Sequence, residues 1–166
     1  MNDTMTRYLA ALPDPAARRA LRFVLQPLVD RLSSQPLTNA GLVISGAGLT
    51  VAKTGATPFY AAAAGILVTL AAGTVLPPLT GINTLAGGFN VALFFVDSGG
   101  VVTVLGGTPA TTLAGIGWPQ LSVGKALIGF LVISGAGAFT GGTTPLDTAT
   151  TAFISLSGDF DPTVLV

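Results

Sequence analysis

From Leu37 onward the apolar residues come in short runs, separated by clusters of Gly, Ser, Thr and Pro. Short runs with that punctuation read as strands. They predict strands over 41–44, 49–53, 58–63, 66–70, 88–96, 101–105, 126–133, 138–141 and 152–156. Turns are predicted at 45–48, 64–65, 97–100, 134–137 and 157–158. The clearest hairpin joins Phe89–Val96 to Val101–Leu105 through Asp97-Ser98-Gly99-Gly100, whose glycines can take the positive φ of a tight turn. The phrase Leu42-Val43-Ile44-Ser45-Gly46-Ala47-Gly48 recurs, identical, as Leu131 to Gly137. Each copy is an apolar run entering a small-residue turn, so 45–48 and 134–137 are both predicted as hairpin tips.

Residues 1–35 have a different period. Asn2 or Asp3 can cap a short helix through Leu12. Asp14-Pro15 is a second start, with Asp at the N-cap and Pro in the first helical position. Ala17, Leu21, Val24, Leu25, Leu28 and Leu32 then fall on one helical face, with Arg18, Arg19 and Arg22 on the other. Pro27 should break or kink this helix, because it removes a bond and crowds the carbonyl of Phe23. The fold expected is mainly β, an antiparallel β-sandwich or small barrel, with an N-terminal α-helical segment. Residues 1–36 form a helical arm and 37–166 a β-rich body.

Charge sharpens that division. The chain has seven basic and seven acidic residues and no net charge. Asp3, Asp14, Asp30, Arg7, Arg18, Arg19, Arg22 and Arg31 lie in the first 35 residues. The rest holds only Lys53, Asp97, Lys125, Asp147, Asp159 and Asp161. Charged residues total 8%, against roughly 25% in an average soluble protein. A body so poor in charge must cover itself with Thr, Ser and Gly, or bury surface against other chains.

The absences bear on chemistry. The chain has no His, Cys or Glu, so zinc, haem and most transition-metal sites lack their usual ligands. There is no disulfide, no thiol nucleophile and no imidazole base. A non-enzymatic protein without a cofactor is expected. Residues 54–96 carry no charge, and a hydropathy window over 59–79 suggests a spanning helix. Gly65, Gly73, Pro77 and Pro78 interrupt it, and basic flanks are missing. Two runs, 59–63 and 66–70, about an Ala64-Gly65 turn fit a hairpin better. The N-terminus does not read as a secretory leader.

Few motifs suggest a site. Gly46 to Thr54 ends in Lys53-Thr54 like a phosphate loop, but Ala stands at 47 and 52, where Gly is needed. Val51 likewise takes the third glycine position of a dinucleotide pattern. Asp159 and Asp161 are weak candidates for holding Ca²⁺, and a solvated strand end before Pro162 is the preferred explanation. Asp147 reads as a turn-capping carboxylate that bonds neighbouring N–H groups. Arg18, Arg19 and Arg22 read as a solvated helix face or an intersubunit ion-pair face, and three arginines beside three aspartates make a poor nucleic-acid footprint. Trp118, Phe59, Tyr60 and Phe139 can pack a core or line a sugar site, and core packing is preferred.

Between about residues 42 and 155 the order of parts resembles small head-decoration and appendage proteins of tailed-bacteriophage virions. The residues that carry the resemblance are Lys53–Ala56, Phe59–Gly65, Ala72-Gly73-Thr74, Phe94 to Thr103, Trp118-Pro119, Gly124 to Ile133, and Gly135 to Thr151. The resemblance implies a structural, non-enzymatic virion protein, often trimeric, fixed to the lattice of the major capsid protein. It transfers no catalytic residue. In that setting Arg18, Arg19, Arg22, Leu21, Leu25 and Leu28 are the candidate capsid or oligomer contacts. Two other roles fit the same residues. One is a tail, neck or head-fibre protein that binds host glycans through Trp118. The other is a membrane-associated protein that uses 59–79. Nucleic acid is not an expected partner and a membrane is disfavoured.

Overall fold

The computed structural model describes residues 14–157, with backbone alone over 26–31 and 150–151. Asp14 starts α1 (Pro15–Leu32) as the sequence predicts: its carboxylate oxygen Oδ1 accepts the Ala16 N–H at 2.9 Å. The missing Pro N–H costs nothing at a position that would be unbonded anyway. Of the break or kink expected at Pro27, the break does not occur, and α1 runs through it as one helix. Loss of the single bond to the Phe23 carbonyl leaves the bonds on either side intact.

The body is an antiparallel β-sandwich and not a closed barrel. Each of the nine predicted runs coincides with an observed strand: β2 (Val43–Ile44), β3 (Ala52–Lys53), β4 (Phe59–Ala63), β5 (Ile66–Leu70), β7 (Phe89–Val96), β8 (Val102–Gly106), β9 (Ala126–Ser134), β10 (Phe139–Thr140) and β11 (Thr150–Ser155). Two short strands have no signal in the pattern. They are β1 (Gln35–Pro36) and β6 (Asn83–Thr84), the latter inside a stretch that reads as loop.

One sheet has the order β11-β9-β7-β8, another β1-β4-β5, and the pairs β2-β3 and β6-β10 form small ribbons. β1 and β4 lie against β9. The main core fills the space between the sheets, with Phe59, Ala61, Val68 and Leu70 from one side and Phe94, Ile128, Leu131 and Ile133 from the other. Burial of each large side chain there contributes about 1.5–3 kcal/mol.

β7 is buried on both faces, because a second cluster covers the opposite side of its sheet. Val91, Leu93, Phe95, Leu127 and Phe130 pack there under Ile116 and Trp118. A bulge makes this possible. The β7–β9 register steps from Phe94↔Gly129 to Phe95↔Leu127, which leaves Ile128 as an extra residue. The step inverts the alternation. Ile128 therefore joins the main core, Phe130 the second cluster, and Leu131 the main core again.

The turns follow local chemistry. Ala64 and Gly65 both have positive φ, 50° and 78°, the two-residue hairpin turn whose twist matches the strands it joins. The 97–100 turn closes on Asp97, whose Oδ1 accepts N–H bonds from Gly99 (2.9 Å) and Val101 (3.0 Å). The first copy of the repeated phrase is a hairpin tip as expected. Val43 pairs with Lys53, and the Ser45 N–H reaches the Val51 carbonyl at 3.0 Å. The second copy is not. After β9 the chain leaves that sheet, and Phe139 pairs with Thr84 in another ribbon. Residues 135–138 are a corner between sheets.

Candidate interaction surface

Several of the body's polar and charged side chains bond within the body itself. Thr54, fully buried beside Lys53, donates from Oγ1 to the Ala71 carbonyl at 3.1 Å and accepts the Thr74 N–H at 2.9 Å. Lys53 sits in a strand, paired with Val43 and bridged to Val75, so no helix follows to receive a phosphate. Lys125 Nζ donates to Thr103 Oγ1 at 3.2 Å. Asp147 does cap a turn, but a distant one: its Oδ2 accepts the Gly48 N–H at 2.8 Å, across 99 positions. A local rule names the type of contact and cannot name so remote a partner. Among the described residues no group of three His, Cys, Asp or Glu is placed to hold a metal. Asp159 and Asp161 lie outside the described residues.

Buried polar groups in the body are also satisfied. Asn90 Nδ2 donates to the Asn83 carbonyl at 2.9 Å, and Thr84 Oγ1 accepts the Phe139 N–H at 3.2 Å. The first bond holds the β6–β10 ribbon to β7, and the second ties β6 to β10. A buried polar atom without a partner costs about 1–3 kcal/mol, so full satisfaction fixes one arrangement of the strands.

What remains is surface. Of the four charged residues described in the body, only Asp147 is exposed, while Lys53, Asp97 and Lys125 are half-buried. Large apolar side chains are exposed instead, among them Leu67, Val75, Leu85, Val101 and Val123. Several converge at one end. The Ala64 N–H donates to Ser34 Oγ at 3.0 Å, and the Gly65 N–H donates to the Ser33 carbonyl at 2.7 Å. These bonds root α1 on the β4–β5 turn. Ile66 and Leu67 follow that turn, Leu32 precedes the root, and Val123 adjoins Gly124, which lies close to Ala64.

The arm itself carries an uncovered apolar side. Leu21, Val24 and Leu32 are exposed, Leu25 is half-buried, and Phe23 is 83% exposed. The side chain of Leu28 lies outside the described residues. Arg19 and Arg22 are exposed, and Arg18 is half-buried with its Nε out of solvent. The candidate arginines and leucines thus share one short helix.

Trp118 stands elsewhere. Its ring meets Phe130 edge-to-face, centroids 5.2 Å apart at 82°. The stretch 107–118 folds back over the second cluster, bridged at Phe89↔Ala110 and Thr108↔Gly117. Trp118 closes a core as the preferred reading expects, and Phe59 and Phe139 are buried in the main core. Tyr60 is partly exposed on β4, away from them. The four aromatics do not form one platform. The 59–79 stretch carries the β4–β5 hairpin, and no described helix is long and apolar enough to cross a membrane.

Compared with known protein families, curated proteins and solved structures, the chain matches none.

Proposed function

We propose that this protein is a non-enzymatic structural component of a tailed-phage virion, a decoration or cement protein on the outer capsid lattice. Its β body associates with copies of itself, for which the resemblance implies a trimer, and the α1 arm reaches the major capsid protein. The observation that carries the reading is the body's surface: among its described residues, many apolar side chains stand exposed where only one charged residue does. Such a surface is suited to being covered by protein. The arm supports it, since its exposed leucines and arginines give a neighbour both apolar area and charge.

Quantitative mass spectrometry of density-purified particles is the test. The chain should be present in a fixed ratio to the major capsid protein, in copy numbers of the lattice. A few copies per particle would favour a neck or tail position, and absence from the particles would overturn the reading.

A further inference from the structure

We infer that β5 is an open pairing edge, and that a second copy of this chain adds its own β5 there, antiparallel, about a two-fold axis through Val68. The two three-stranded sheets then become one continuous sheet. The inference stands on the edge itself, whichever particle the protein belongs to.

The hydrogen-bonding sense of each residue follows from the register. Tyr60 and Ala62 face Thr69 and Leu67 across the hairpin. The Tyr60 carbonyl accepts the Leu37 N–H at 2.9 Å, and the Tyr60 N–H donates to Thr38 Oγ1 at 2.9 Å. Both groups of Tyr60 therefore point to the β1 side. In an antiparallel ladder its partner must turn the opposite way. Thr69, and by the same alternation Leu67, direct N–H and C=O outward from the sheet. Among the described residues nothing pairs with them, since β5 ends the sheet order. Gln35–Pro36, which follows the arm, pairs on the far side of β4 and leaves this edge free of its own ladder.

Edges left open are ordinarily blunted by charge, proline or a bulge. β5 has none of these. Ile66–Leu70 is uncharged and regular, and Leu67 is 66% exposed. An identical strand satisfies the edge completely. With the axis at Val68, Leu67 and the partner's Thr69 exchange both backbone bonds, and Thr69 does the same with the partner's Leu67. That makes four bonds by symmetry. On the outer face each Leu67 side chain lies beside the partner's Thr69, an apolar and β-branched pair without like charges. Val68, between them, turns its side chain into the main core of its own copy. A strand of another protein gains no charge complementarity here, whereas a second copy brings the matching register with it.

The test uses the full chain and light scattering across a concentration series. The wild type should associate into dimers, or into hexamers if the trimer contact proposed above also forms, and a free trimer overturns the inference. L67K/T69K places lysine opposite the partner's lysine at two exposed positions, and should weaken association by about tenfold or more. Mixing it with L67E/T69E should restore association between the two variants alone. A monomeric wild type at the highest concentration reached, or an oligomer whose mass the lysine pair does not change, overturns the inference. Should the charged variants misfold, L67C/T69C reports the register directly, because the chain has no native cysteine. Hydrogen-bonded antiparallel partners lie about 5.5 Å apart at Cα, within disulfide reach. Mild oxidation should give reducible dimers, and folded protein that yields none overturns the inference.

Discussion

The two copies of Leu-Val-Ile-Ser-Gly-Ala-Gly are the same seven residues in different structures. In both, Leu and Ile face the main core: Leu42 and Ile44 in one copy, Leu131 and Ile133 in the other. In both, Val faces away. What lies on the valine's side differs. Val43 meets solvent, on a two-residue strand in a small ribbon. Val132 meets the second cluster, on the nine-residue central strand β9. The turns differ too. Gly48 has φ +72° and lets the chain fold back, while Gly137 is not in the left-handed region. Seven residues set which side chains share a face and leave open what each face touches.

The largest expected difference between the copies is in the core. Ile133→Ala removes a fully buried side chain and should cost about 2–5 kcal/mol in urea unfolding. Ile44→Ala, at the half-buried equivalent, should cost about 1–2 kcal/mol. Equal losses would show that the first copy is packed as tightly as the second. The glycines give a smaller contrast. Gly48→Ala forces a side chain into positive φ and should cost about 1–2 kcal/mol. Gly137→Ala meets open space and ordinary φ, so its midpoint should stay within about 0.5 kcal/mol of wild type. The smallest effect concerns the tether. Asp147→Ala removes the acceptor of the Gly48 N–H and should cost about 0.5–1.5 kcal/mol, with faster amide exchange at Gly48. Unchanged exchange would show that the turn holds itself.

Much of the fold was legible in the pattern. The strands were readable because short apolar runs, β-branched and aromatic, are punctuated by turn residues. Ala64-Gly65 and Asp97 to Gly100 could be placed as turns because positive φ and a capping carboxylate are local requirements. β1 and β6 were not readable, since Gln35-Pro36 and Asn83-Thr84 lie outside any apolar run and are made of polar residues and proline. The corner after Ser134 was missed for a different reason. Phe139 is drawn into the main core and its N–H bonds Thr84 Oγ1, a residue far back in the chain. Of the candidate surface, the charge-poor body and the leucine–arginine arm were visible in composition. The rooting of that arm on the β4–β5 turn was not, because Ser33 and Ser34 bear no mark of their partners.

The sequence alone determined the antiparallel β class, the helical start at Asp14 and the period that sets Leu and Ile of the repeated phrase on one side, because these depend on φ preferences and near-neighbour spacing. Only the tertiary structure decided that β7 is covered on both faces, that Asp147 caps a turn 99 positions away, and that β5 ends its sheet among the described residues. Those outcomes depend on which distant segments come to lie side by side, and an identical heptapeptide carries no information about its neighbours across the sheet.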